Sequence, residues 1–260
     1  MTVAACAALV ERGDPDRFMA VMAAPVAARA PLLVLYAFNL EVARAPWVTQ
    51  EALIAEMRLQ WWRDTVAAMA GPGPVRAHEV AAPLAEVVRG RRLPLAVIDR
   101  LIEARRWDIY RDPFEDRAAF DAYLEDTGAG LMWLAASALG APPEVEPAAR
   151  AAGWAAGLAA FLRAVPELEA RGRRPLVDTR AEAVAGLARD GLARLADARR
   201  VRGRVPPGAR AAFLSGWQTE ALLRQVLADP RRVAEGRLGL SEFARRGRLA
   251  WAAIVSQCVV

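Results

Sequence analysis

DRFMAVMAAPVAARAPLLVLYAFNLEVARAPWVTQEALIAEMRLQWWRDTV, residues 16–66, reads as three helices in succession. Asp14 stands where a side chain caps the first, Pro15 fits its first turn, and Pro25 ends or bends it. A second helix passes through Leu32, Leu35, Tyr36 and Phe38 to about Arg44, bounded by Pro46. Thr49, with Ala52 three positions on, forms an imperfect capping box for a third helix from Gln50 to about Ala70, which Gly71-Pro72-Gly73-Pro74 stops.

The same punctuation continues outward, and helices are expected near 76–90, 94–108, 116–139, 145–170, 180–200, 207–228 and 240–257. Of the 260 residues 59 are alanine, the best helix former, and all 35 basic residues are arginine, which ranks close behind. No stretch alternates with period two for long enough to propose a strand, so the expected fold class is all-α, one domain over 1–260. A hydrophobic share of 55% excludes intrinsic disorder. The net charge of +5 follows partly from the absence of lysine. The arginine-rich run Arg199–Gly208 has no interleaved aromatic residues and reads as a solvated connection, so nucleic acid is not an expected partner. No uninterrupted apolar run reaches the roughly 18 residues of a membrane span. The start MTVAACAALVERGD lacks the positive region of a secretory signal, which makes a cytoplasmic location the expectation. Cys6 and Cys258 have no metal-ligand spacing, so neither a disulfide nor structural zinc is expected. His78, the one histidine, is expected to be exposed at a helix start.

Phe18, Pro25, Arg29, Leu35, Tyr36, Ala37, Phe38, Leu59, Gln60 and Trp62 together resemble the opening of the squalene/phytoene synthase family. Tyr123–Gly140, YLEDTGAGLMWLAASALG, resembles its mid-chain helix, and Gly157–Val177, GLAAFLRAVPELEARGRRPLV, its later Asn-Ile-Leu-Arg-Asp helix followed by Arg-Gly-Arg. The resemblance spans about 16 to 180, with 181–260 a helical C-terminal part. It implies an isoprenoid-synthase-like helical bundle around a central apolar cavity, in which two prenyl diphosphates are joined head to head. Two facing D-x-x-x-D motifs would hold the Mg²⁺ ions that bind the leaving diphosphate, since i and i+4 share a helix face.

The same alignment puts Ala43 and Trp47 at the first pair of aspartates, with Pro46 between them, and Ala164 and Leu168 at the second. The tyrosine expected after Arg-Gly-Arg is Pro175. The strings AFNLE, EMRLQWW and LRAVP, with Glu125-Asp126-Thr127, resemble one subgroup of that superfamily, which includes a mitochondrial respiratory complex I assembly factor and bacterial relatives. The expectation is therefore a synthase-like protein with neither a metal site nor a cofactor, non-catalytic, with a binding or respiratory-complex assembly role. The alternative is an active head-to-head prenyl-diphosphate transferase, which would need Mg²⁺.

The cavity or ligand-binding candidates are Asn39, Glu41, Arg44, Gln60, Glu125, Asp126, Arg163 and Glu167. Glu41 and Arg44, three apart, form either an intrahelical ion pair or a polar pair lining the cavity. Gln60 sits beside Trp61 and Trp62, which cannot both point inward. Glu125 and Asp126 point to different sides; structural pairing is favoured over proton chemistry, with Arg163 the expected partner of whichever faces the cavity. Arg163 without a neighbouring aspartate suits a diphosphate or an anionic lipid head group. Expected partners are an apolar isoprenoid-like ligand and respiratory complex subunits. Peripheral contact with an inner membrane enters through the Arg-rich amphipathic segment Phe243–Val255.

Overall fold

The computed structural model describes residues 3–49 and 51–258, with side chains as far as Ile254, and has no strand among them. The chain opens earlier than the sequence suggests, with α1 (Val3–Gly13), whose Cys6, Leu9 and Val10 form a buried stripe against the core. Cys6 is a free, buried thiol, and the side chain of Cys258 lies outside the described residues. Asp14 then caps α2 (Pro15–Ala23) by accepting from the Arg17 amide at 3.0 Å. After Pro25 comes α3 (Val26–Arg44), whose Leu32–Asn39 run is buried throughout. By length and composition α3 would be apolar enough to cross a membrane, at a mean hydropathy of 1.4, and 56% of that window is buried inside the fold.

A 3-10 turn, Ala45–Trp47, leads to α4 (Ala52–Ala68). Gln50, the expected helix start, lies outside the described residues. α5 spans Ala81–Arg91 and starts five residues later than the pattern suggests. His78, ahead of this start, is half-buried rather than exposed: it packs on Trp61 and Trp62 at 5.2 Å each, and its Nδ1 accepts from the Val80 amide. α6 (Leu95–Ala104) tightens into a 3-10 turn, Arg105–Asp108.

The expected helix 116–139 is three pieces: α7 (Arg117–Leu124), a π turn (Glu125–Ala129) and α8 (Gly130–Ala138). The expected 207–228 helix is likewise divided into a ten-residue 3-10 coil, Pro207–Gly216, and α11 (Thr219–Ala228). Between these lie the long α9 (Glu146–Ala170) and α10 (Ala181–Arg200); α12 (Arg231–Ala234) and α13 (Glu242–Cys258) close the chain.

Two apolar clusters hold these helices. One joins α1, α3, α5, α6 and α8; the other joins α7, α9, α10 and α11 around Phe120, Trp154 and Leu158. The 3-10 coil packs on α2, α3, α8 and α9, with α13 laid across it.

Candidate functional site

The four positions that the resemblance assigns to metal-binding aspartates, Ala43, Trp47, Ala164 and Leu168, carry no acidic side chain. Ala43 is half-buried, Ala164 is exposed and Leu168 is buried in the second cluster. Trp47 leans from the 3-10 turn under two guanidiniums, with Arg171 at 4.8 Å and Arg173 at 4.9 Å from its ring centre. Cations over an indole are held by its quadrupole, so Trp47 ties the end of α3 to the chain leaving α9.

Behind Trp47 the ionisable groups are enclosed. The buried Arg173 guanidinium donates to the carbonyls of Trp107 at 3.2 Å, Tyr110 at 2.7 Å and Asp108. The Asp108 carboxylate accepts from Arg105 at 3.3 Å and from the Tyr123 hydroxyl at 3.1 Å. Arg105 also donates to Tyr123 at 2.8 Å and to Asn39 Oδ1 at 3.4 Å. Burial pushes the Asp108 carboxyl above its ordinary value, with Arg105 opposing, and pushes the Tyr123 phenol up as well. Stacked Trp107 and Phe114, 4.0 Å apart, together with Phe120 and Phe161, close the space beside the cluster. Walled in, the cluster fixes α3, the Arg105–Asp108 turn and α7 against each other.

A cavity of about 550 Å³ lies elsewhere, between α8, α9, α10, the 3-10 coil, α11 and α13. Met132, Leu195, Phe213, Leu214 and Trp217 make it apolar. Its rim carries Arg199, Arg202, Arg210 and Arg248 and, among the described residues, the acid Glu220, which Arg199 meets at 2.5 Å. An apolar interior with guanidiniums at its rim suits a molecule with an apolar tail and an anionic head.

One further polar knot adjoins α13. Asp16 on α2 accepts from Arg163 on α9 at 3.0 Å, from Arg245 on α13 and from Gln218. Burial alone would raise the Asp16 carboxyl, but these hydrogen bonds outweigh it and hold the group below its ordinary value. The stability it contributes is therefore present above the ordinary carboxylate pKa and is lost only as pH falls through the lowered one. Asp16→Asn is expected to speed amide hydrogen exchange in α13 while moving the melting temperature by no more than a few degrees, since the knot is partly solvent-exposed. Exchange in α13 equal to that of the parent chain would contradict this.

The profile of the family described as squalene/phytoene synthase matches residues 10–177. The chain belongs to the squalene/phytoene synthase family. A Drosophila melanogaster relative named NADH dehydrogenase (ubiquinone) complex I, assembly factor 6 homolog is 28% identical over 252 residues, 85% of this chain and 74% of the relative. The assembly factor 6 proteins of Bos taurus and Homo sapiens are 27% and 26% identical over 162 residues, 62% of this chain and 48% of theirs. The chain thus spans about half the length of those two mammalian relatives. Among solved structures, a dehydrosqualene synthase in complex with ligand superposes with a TM-score of 0.82 at 15% identity, covering 99% of this chain and 97% of that one. A squalene synthase from Alicyclobacillus acidocaldarius gives 0.73 at 19% identity, covering 92% and 95%. At such identities the likeness shows the isoprenoid-synthase helical fold.

Within this squalene/phytoene synthase fold the sequence candidates disperse. Asn39 is buried against Arg105, whereas Glu41 and Arg44 pair with each other at 3.3 Å along α3. Gln60 is exposed and donates to Asp64 at 2.7 Å. Glu125 pairs with Arg150 of α9 at 3.1 Å and Asp126 with Arg100 of α6 at 3.2 Å. Arg163 therefore takes neither of them as its partner and goes to Asp16 instead. Glu167 pairs with Arg171 one turn on. The cavity of about 550 Å³ is not lined by Asn39, Gln60, Asp126 or Arg163. The sequence reading missed Arg105, Asp108, Tyr123 and Arg173; the i,i+3 spacing of Arg105 and Asp108 was the available signal. It also missed the cavity rim, whose arginines come partly from the run read as a plain connection.

Proposed function

We propose that this squalene/phytoene synthase family member no longer ionises prenyl diphosphates, and that it binds an isoprenoid-like amphiphile while serving respiratory complex assembly. The observation that carries the reading is Trp47 under Arg171 and Arg173, where the family resemblance puts a metal-binding aspartate. Ala43, Ala164 and Leu168 likewise offer no side-chain oxygen, so the residues at these four positions do not fit a cluster of Mg²⁺, which takes oxygen ligands in near-octahedral geometry. Without divalent ions, the charge developing on a departing diphosphate has no comparable counterweight. No group of three or more His, Cys, Asp or Glu side chains gathers in metal-binding geometry among the described residues.

The assembly role is supported by the names of the Drosophila, bovine and human relatives. The amphiphile is supported by the arginine-rimmed cavity and by the ligand-bound dehydrosqualene synthase of like fold.

Purified protein incubated with farnesyl diphosphate and Mg²⁺ is expected to release diphosphate no faster than the buffer blank, yet to retain the lipid on gel filtration. Steady diphosphate release would instead establish a head-to-head prenyl-diphosphate transferase. Deleting the coding sequence is expected to lower assembled respiratory complex I on native gels; unchanged levels would remove the assembly role.

A further inference from the structure

The outer side of α13 is built against the ordinary rule for a surface helix. Phe243, Gly247, Ala250 and Ile254, at i, i+4, i+7 and i+11, form one line along it. Phe243 is 89% exposed, Trp251, beside that line, is 69% exposed and Ile254 is 55% exposed. The opposite side holds the helix down, with Arg245 on Asp16 and with Leu249 and Ala252 against the first apolar cluster. Arg246, paired with Glu242 at 2.8 Å, lies about 60° to one side of the exposed line, and Arg248 lies about 140° round on the other, beyond Trp251.

Two further facts indicate what covers this face. Arg248 belongs to the cavity rim with Arg199, Arg202 and Arg210, so the cationic border runs on past the helix. Trp251 lines the cavity while standing largely in the open, which makes it the lip of the mouth. Apolar side chains in a row, an indole among them, bordered by guanidiniums, match a layer that is apolar beneath and anionic at its surface. Around the exposed apolar residues of α4, Leu53 and Met57, stand two acids and one arginine, Glu51, Glu56 and Arg58, whereas α13 carries three arginines and one acid, Glu242.

We propose that α13 docks on an anionic lipid bilayer. Phe243, Trp251 and Ile254 enter the zone between head groups and acyl chains, Arg246 and Arg248 meet the phosphates, and the cavity mouth comes to lie at the bilayer surface. The docking stands independently of what the cavity holds and of any chemistry on a prenyl diphosphate.

Co-sedimentation of the full chain with vesicles tests it. The parent chain is expected to bind phosphatidylcholine vesicles containing phosphatidylglycerol, to bind pure phosphatidylcholine much more weakly, and to lose binding as salt rises. Phe243→Ser with Ile254→Ser is expected to weaken binding about tenfold or more while preserving the circular dichroism of the parent. Leu53→Ser with Met57→Ser, the same loss of apolar surface on α4, is expected to leave binding unchanged. Failure to sediment, indifference to lipid charge, or equal loss in both double variants would overturn the proposal. So would a dimer in light scattering that dissolves on Phe243→Ser, because the face would then belong to a second copy of the chain.

Discussion

Gly153→Ala is expected to lower the melting temperature by about 10 °C, where the same substitution at a roomy helical site raises it slightly. A methyl at Gly153 would stand 2.5 Å from Met132 Cβ, 2.6 Å from the Gly128 carbonyl oxygen and 2.8 Å from Ala129 Cα. The contact is reciprocal: a methyl at Gly128 would lie 2.7 Å from the Gly153 carbonyl oxygen and 2.9 Å from Gly157 Cα. These atoms are backbone or fixed to it, so α9 and the π turn would have to part. Overpacking typically costs about 1–3 kcal/mol and more where nothing flexible can yield. Against this, alanine gains only about 0.5–1 kcal/mol over glycine in a helix. The net loss of about 3 kcal/mol corresponds to the stated shift at about 2–4 °C per kcal/mol for a chain of this size. Gly186 on α10 is the control, since its methyl would meet only the far end of Arg189 at 3.8 Å. Paired thermal melts followed by circular dichroism decide it. If Gly153→Ala melts with the parent chain, the close approach of α9 to the π turn does not hold in solution.

The features that sequence reading recovered are those whose causes lie within one helical turn. The Asp14 cap and the Glu41–Arg44 pair both follow from residues three apart. The features it missed depend on distant parts of the chain. Arg163 and Asp16 are separated by 147 residues, and with 35 arginines available for pairing, nothing local distinguishes Asp16 from Asp126 as the partner. The π turn at Glu125–Ala129 is similarly invisible, because it takes its shape where the Gly128 backbone meets Gly153 and Gly157 of another helix. Family resemblance supplied the fold and pointed to Trp47 and Leu168, but it left open whether a cavity remains between the helices carrying Asn39, Gln60, Asp126 and Arg163. Those side chains are instead spent on ion pairs and packing, and the open volume lies under α13.

Arg105→Met is expected to cost about 3–5 kcal/mol near neutral pH and much less in acid. The variant keeps the aliphatic volume but strips the buried Asp108 carboxylate of its guanidinium, leaving the Tyr123 hydroxyl as its remaining side-chain hydrogen-bond donor. Burial already holds this carboxyl above its ordinary value with Arg105 in place, and without Arg105 it rises further. A group whose pKa is raised by folding favours the native state fully below its unfolded value of about 3.9, and that contribution disappears as pH climbs through the folded value. The deficit relative to the parent chain should therefore be small near pH 4 and widen toward pH 7, as read from urea midpoints. Adding Asp108→Asn removes the charge that the first substitution stranded, so the double variant should regain most of the stability and lose the widening. A deficit that is flat with pH, or a double variant no better than Arg105→Met alone, would mean that Arg105 supports α6 by packing and that its charge is incidental.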